Sequence, residues 1–321
     1  VKVLITGGHG FIARYLVRAI TAEGWTVMTP GREELDVTNP SSIDSFFQDK
    51  KFKPDAVVHL AALLMIDGHH AQEYFRVNSF GAYNVLEMCR RSGIKKIVYA
   101  MTHSDQNKSP FPLVSEHEDY CVFGTNSFDP AHNAIPFIAS KIAAMKMVEA
   151  YDREGVVQGI SLRLSNIRGY GSRDTHYNSP FHQFIRKAID GEDIEVWGDP
   201  PSTKRDMIYI KDVCSAFVAA LKSKEHGTFN IGSGMGYTIE DEVKEIIQVF
   251  GNPLKTPQII YRRDLPEVRK KNCIFNINKA VCKLGWSPRY DYRQGLFDFK
   301  KEMVIDSNRR RLMKKEGRSE C

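Results

Sequence analysis

Residues 3–16 read VLITGGHGFIARYL: an apolar β-branched run, a glycine turn and the opening of an amphipathic helix. Gly7 can take a turn conformation closed to other residues, and Gly10 lets backbone approach a ligand closely. The first helical residues, Phe11 and Ile12, present amides that have no intrahelical acceptor, at the positive end of the helix dipole. Such a turn is built to hold phosphate, and glycines at this spacing between a first strand and a first helix suit a dinucleotide pyrophosphate. The third small position is Ala13 rather than glycine, a mild change because its task is close packing of helix on strand.

The end of the second strand selects the dinucleotide. An acidic residue there accepts bonds from a ribose 2′-hydroxyl, whereas a cation attracts a 2′-phosphate. In TPGREELDV the residue near that point is Arg32, which favours NADP over NAD, with Glu33 and Glu34 beside it keeping NAD open. Asp36 and Val37 are candidates for the adenine pocket; an Asp before a helix serves equally as an N-cap.

These groups need a scaffold. VKVLIT, WTVMT, DAVVHLAA, KKIVYA and ISLRLS read as short apolar strands with amphipathic helical stretches between them, the pattern of a parallel sheet covered on both faces. The expected fold is α/β: a doubly wound parallel sheet of the Rossmann type with a smaller C-terminal substrate-binding region. The dinucleotide-binding part is expected over residues 1–165, with later strands near 206–232 returning to it. Residues 166–321 are expected to be mainly ligand-binding, because GYGSRDTHYNSP, WGDPPSTKRD and GNPLKTP bring Gly, Pro and charge around shorter elements.

Composition narrows the class further. The chain has 321 residues, 42% of them hydrophobic and 26% charged, which suits a folded domain with a large core rather than a disordered chain. No apolar run reaches the roughly 20 residues needed to span a bilayer, and no charged-then-apolar leader opens the sequence, so a cytoplasmic protein without a membrane partner is expected. The six cysteines have no CxxC pair and no spacing with histidine that suits zinc, so no metal or disulfide framework is expected. The basic tail at 307–321 lacks interleaved aromatics, and nucleic acid is not an expected partner.

Taken in order, TGGHGFIA, VVHLAA, VNSFGAYNVLEMC, IVYAMT, PFIASK, LRLSNIRGYG, RDMIYIKDV and LGWSP resemble the extended short-chain dehydrogenase/reductases that modify nucleotide sugars, the NAD-dependent epimerase/dehydratases. The resemblance implies a Tyr-x-x-x-Lys pair and a Ser or Thr at the end of the fourth strand. Residues four apart share a helical face, so a hydroxyl and an ammonium can work together, the cation lowering the phenol's pKa for acid/base work. It assigns the hydroxyl to Thr102 and the cation to Lys141. At position 137, where tyrosine belongs, stands Phe137. The preferred account is a Tyr→Phe form of an active site, as would be made to trap a ligand. The others are an enzyme using another acid or base (Tyr120, Tyr170 or His103) and a retired dinucleotide-binding or regulatory protein in which Phe137 is only core.

The resemblance also implies Leu60, Ala61, Ala62 and Asn78 around the cofactor, Asn166, Arg205 and Arg263 (or Arg262) on the diphosphate of a nucleoside-diphosphate sugar, and a homodimer through the helices FGAYNVLEMCRRSG and IASKIAAMKMVEAYDREG. MTHSDQN lacks the Thr-Asp-Glu run of the 4,6-dehydratases. That leaves an NAD(P)-dependent epimerase acting through a transient keto-sugar, or a 4-keto-sugar reductase of the GDP-fucose-synthase kind. The long stretch 103–135, with Tyr120 and Cys121, is expected to form a flap near the substrate.

Overall fold

Short β-branched runs buried on both sides build the centre of the molecule. The computed structural model describes residues 1–49, 53–64, 69–103, 134–171, 180–198, 201–265 and 272–315. Its strands are β1 (Lys2–Thr6), β2 (Thr26–Met28), β3 (Ala56–His59), β4 (Lys96–Thr102), β5 (Gln158–Leu164), β6 (Asn166–Arg168), β7 (Ile194–Trp197), β8 (Arg205–Tyr209), β9 (Gly227–Ile231), β10 (Gly236–Tyr237) and β11 (Ile259–Arg262). Its helices are α1 (Phe11–Ala22), α2 (Pro40–Asp49), α3 (Ala71–Tyr74), α4 (Gly81–Ser92), α5 (Ala134–Arg153), α6 (Pro180–Asp190), α7 (Ile210–Lys222), α8 (Ile239–Phe250), α9 (Asn278–Leu284) and α10 (Tyr292–Lys315). The 103–135 flap with Tyr120 and Cys121 lies, past His103 and short of α5, outside the described residues, as does the end of the basic tail.

Six parallel strands form the main sheet in the order β2-β1-β3-β4-β5-β9. One face is covered by α1 and α7, whose Leu16, Ile20, Val213 and Phe217 pack on Val3, Ile5, Val58 and Ile160. The other is covered by α2, α4 and α5 through Ile43, Leu86, Met145 and Val148, which meet Leu4, Val57 and Ile97. This is the expected doubly wound fold, and two-sided burial is why its strands read as continuous apolar runs. Strand order reverses at β1, which has β2 on one side and β3 on the other, so the crevice for a ligand lies beyond the carboxyl ends of β1 and β3.

β8 pairs with β6 and β10 in a separate three-stranded sheet, and β7 with β11 in a two-stranded one. A third core, with Phe181, Ile185, Val243, Ile246, Leu296 and Phe299, joins α6, α8 and α10. Inside this part Glu242, 1% exposed, is paired with Arg168 at 2.8 Å and accepts the Tyr292 hydroxyl at 2.8 Å.

Asp206 ties the two parts together. Its buried carboxylate accepts the hydroxyl of Ser165 at 2.9 Å, the amides of Ser233 at 2.7 Å and Gly234 at 2.9 Å, and the amide of Phe275 at 3.2 Å. Burial pushes its pKa up, against the opposing pull of these donors. Asp206→Ala strands three backbone donors in the interior and is expected to cost about 2–4 kcal/mol in urea unfolding. A loss below about 0.5 kcal/mol would mean that water replaces the carboxylate freely.

Candidate active site

The glycine turn sits at the sheet's switch point for a steric reason. Gly7 has φ +69°, and a Cβ there would lie 2.8 Å from the amide nitrogen of Ala61, so the turn after β1 and the segment after β3 touch backbone to backbone. Gly10 is the N-cap of α1, and glycine offers no side-chain acceptor to the amides that follow. Those of Phe11 and Ile12 therefore suit an anionic ligand, which is how the residues present fit a dinucleotide pyrophosphate. Ala13 is fully buried, as close packing of α1 on the sheet requires.

Arg32 is exposed and pairs with Asp36 at 3.5 Å. Partial burial pushes the Asp36 carboxyl up, but the Thr38 amide and hydroxyl and the Arg32 charge outweigh it and hold the group below the usual range. Asp36 does not cap α2: Asn39 does, accepting the amide of Ser41 at 3.0 Å. Val37 is 4% exposed and packs its side chain in the core beside Gly81, and its carbonyl accepts the Asn84 side-chain amide at 2.9 Å.

Leu60, Ala61 and Ala62 follow β3, half-buried. Asn78 pins this segment, accepting the amide of Leu63 at 2.8 Å while its Nδ2 donates to Leu63 O at 3.3 Å and Ser140 Oγ at 3.0 Å. It lies, 1% exposed, in a π-helical stretch, Phe75–Phe80, that carries α3 into α4.

On α5, Phe137 is 6% exposed, its ring edge-on to Tyr74 with centroids 5.8 Å apart. One turn later Lys141 is 6% exposed. Its ammonium has no hydrogen bond or ion pair to any described residue and rests 4.4 Å from the centroid of the Tyr99 ring. Burial lowers its pKa to about 7. The Tyr99 ring is stacked on His59, centroids 5.8 Å apart and planes 22° off parallel, and His59 Nδ1 is 2.7 Å from the Thr6 hydroxyl. Burial first, and then the Lys141 charge, depress His59 to about 3, so it is neutral. A continuous line of contacts thus runs from the residue before the glycine turn, through β3 and β4, to the lysine on α5. Thr102 closes β4 beside Leu164 of β5, half-buried.

Asn166 is the first residue of β6, not the end of β5, and donates to Asp206 O at 2.8 Å. Arg205 opens β8 and bridges Cys273. Arg262 is engaged by Asp264 at 2.8 Å and Glu195 at 3.2 Å, whereas Arg263 is exposed. Of the alternative acids, Tyr170 donates its hydroxyl to Asp306 of α10 at 2.7 Å, and His103 has Nδ1 3.2 Å from Leu164 O. Tyr120 lies outside the described residues.

The family model for the NAD dependent epimerase/dehydratase family matches residues 3–232. The chain belongs to that family. The dTDP-glucose 4,6-dehydratase of Haemophilus influenzae is 26% identical over 96% of this chain and 99% of its own. The GDP-L-fucose synthase of Sinorhizobium fredii is 24% identical over 92% of this chain and 93% of its own. Among solved structures, the UDP-N-acetylglucosamine 4-epimerase of Bacillus cereus superimposes with a TM-score of 0.74 at 26% identity, covering 95% of this chain and 96% of that one. Membership of the NAD dependent epimerase/dehydratase family makes a nicotinamide dinucleotide the cofactor.

Tyr99, His59 and Asp206 were not among the candidates read from the sequence. Tyr99 sits in an apolar strand, where a tyrosine reads as core, and nothing local says that α5 lays a lysine across it. Among the described residues no cluster of His, Cys, Asp or Glu is fit to hold a metal, and no helix is long and apolar enough to cross a membrane.

Proposed function

We propose that the protein is an NADP- or NAD-dependent nucleotide-sugar epimerase working through a transient keto-sugar, NADP being favoured by Arg32. The observation that carries this is the buried Lys141, an ammonium with no protein hydrogen-bond partner among the described residues, one helical turn from position 137 and at the carboxyl end of the sheet. When bound, the dinucleotide supplies the hydride acceptor and donor. Thr102 holds the sugar hydroxyl, position 137 in its tyrosine form takes and returns the proton, and Lys141 orients the nicotinamide ribose and lowers the phenol's pKa. Asn166, Arg205 and Arg263 are assigned to the diphosphate, for which guanidinium groups suit bidentate contacts. Asn78 arranges the cofactor side without needing to touch the ligand.

In this proposal residues 1–165 with β9 form the cofactor half, and 166–321 provide most of the sugar-nucleotide half. α4 and α5 form a homodimer interface, supported by the exposed Phe80 and Tyr83 at its edge. The free thiols Cys89, Cys214, Cys273 and Cys282 fit a reducing cytoplasm.

The test is a thermal-shift panel of UDP-, GDP-, dTDP- and CDP-sugars with NADP or NAD. One base is expected to raise Tm, by the equivalent of about 2.7 kcal/mol at a hundredfold excess over Kd, with a further rise from the cofactor. No shift with any sugar nucleotide would overturn the enzyme assignment in favour of a regulatory dinucleotide binder. Once a ligand is found, stoichiometric consumption of NADPH would identify a keto-sugar reductase, and catalytic amounts an epimerase.

A further inference from the structure

Lys141 is held at both ends by one residue. The ring of Tyr99 lies beneath the ammonium, 4.4 Å from centroid to Nζ, and the Tyr99 hydroxyl donates to the Lys141 carbonyl at 3.3 Å. Tyr99 is itself 1% exposed. It cannot swing, because β4 fixes its backbone and His59 is stacked on its ring. A lysine side chain ordinarily explores many rotamers, and ordering it costs entropy that must be met at binding or beforehand. Here the face of an aromatic ring, negative by its quadrupole, attracts the cation in a dry environment without using any of its three donor hydrogens. All three remain for a ligand. An Asp or Glu in the same place would have taken one or two of them.

We propose that Tyr99 is a positioning residue for Lys141, a clamp that sets where the ammonium meets the cofactor while leaving its hydrogen bonds uncommitted. The inference rests on the assignment of Lys141 to the cofactor's ribose. It goes beyond that assignment by making the ring face, rather than a hydrogen-bonding partner, the device that aims the lysine.

A double-mutant cycle on NADPH affinity, read by fluorescence titration, tests it. Tyr99→Phe keeps the ring and is expected to bind within about threefold of the parent. Tyr99→Leu removes the ring face and is expected to weaken binding roughly 5- to 30-fold. In the Lys141→Met background the same change is expected to have almost no further effect, because its route of action is gone. Circular dichroism checks that each variant is folded, and Tyr99→Met replaces Leu if the smaller side chain disrupts the core. Additive losses, or a Tyr99→Phe loss as large as that of Tyr99→Leu, would overturn the clamp. If Lys141→Met binds NADPH as well as the parent, the ribose assignment fails. If Lys141→Met weakens binding and Tyr99→Leu does not, the clamp alone fails.

Discussion

Phe137→Tyr is expected to raise turnover about 10²–10⁴-fold, the scale of a restored acid/base group. The nucleotide sugar to use is the one that stabilises the chain in the thermal-shift panel. The ring at 137 already has its place, 6% exposed and edge-on to Tyr74, so the substitution adds one oxygen without asking the core to repack. What the oxygen gains is a neighbour one turn away: Lys141, whose charge favours the phenolate. A phenyl ring offers neither proton nor lone pair, so the chain as it stands is expected to bind cofactor and sugar nucleotide yet convert them slowly. Kd values for both ligands should change little between the two forms, since the proton moves only in the transition state. Equal turnover in the two forms would remove position 137 from the mechanism and turn attention to His103.

Lys141→Met is expected to stabilise the fold, and to do so only in one range of pH. The folded pKa is about 7, depressed by burial, against about 10.4 for an unfolded lysine. Above pH 10.4 the amine is neutral in both states and costs nothing. Between 10.4 and 7 the unfolded chain binds the proton and the folded one does not, so the parent loses stability as pH falls. Below 7 both states are charged and the penalty is constant. Among the described residues, the ammonium faces the Tyr99 ring, with neutral His59 behind it, and neither carries an opposing charge. The variant should therefore gain on the order of 3–5 kcal/mol at pH 6, falling to near zero by pH 10.5. Unfolding curves at these two pH values check it. A gain independent of pH would mean that the lysine is not charged in a dry site, and a loss at pH 6 would mean that an unseen anion holds it.

Burial imposed by tertiary packing is what sets Lys141 apart, and the sequence around it carries no sign of that burial. A lysine on a helix is ordinarily solvated, and nothing in IASKIAAMK marks Lys141 as different from Lys146, which is exposed and paired with Glu149. The difference is which face of α5 lies on β4, and that depends on residues forty positions away. Asn166 and Val37 show the same limit. LRLSN reads on as one strand, but the chain leaves the main sheet after Leu164 and Asn166 begins β6, where Met207 of β8 pairs with it. Val37 looked like pocket lining by its place after Asp36, and the close approach of Gly81 draws its side chain into the core.

Local chemistry decided much on its own. Backbone freedom at Gly7, the bare N-cap at Gly10 and the small Ala13 follow from residue type, and such a turn before a helix start suits a phosphate. The alternation of short apolar runs with amphipathic stretches dictated a parallel sheet covered on both faces, because such strands have no side to show to water. The i, i+4 spacing of 137 and 141 put them on one face of a helix whatever the rest of the chain did. Tertiary structure decided what lies across the sheet from each of these: Tyr99 under the lysine, Ala61 against Gly7, Asp206 at the junction of the two parts. Those pairings join residues 42, 54 and up to 69 positions apart. Contacts of that range are set by strand order and packing, which hydrophobic burial over the whole chain determines and no short stretch encodes.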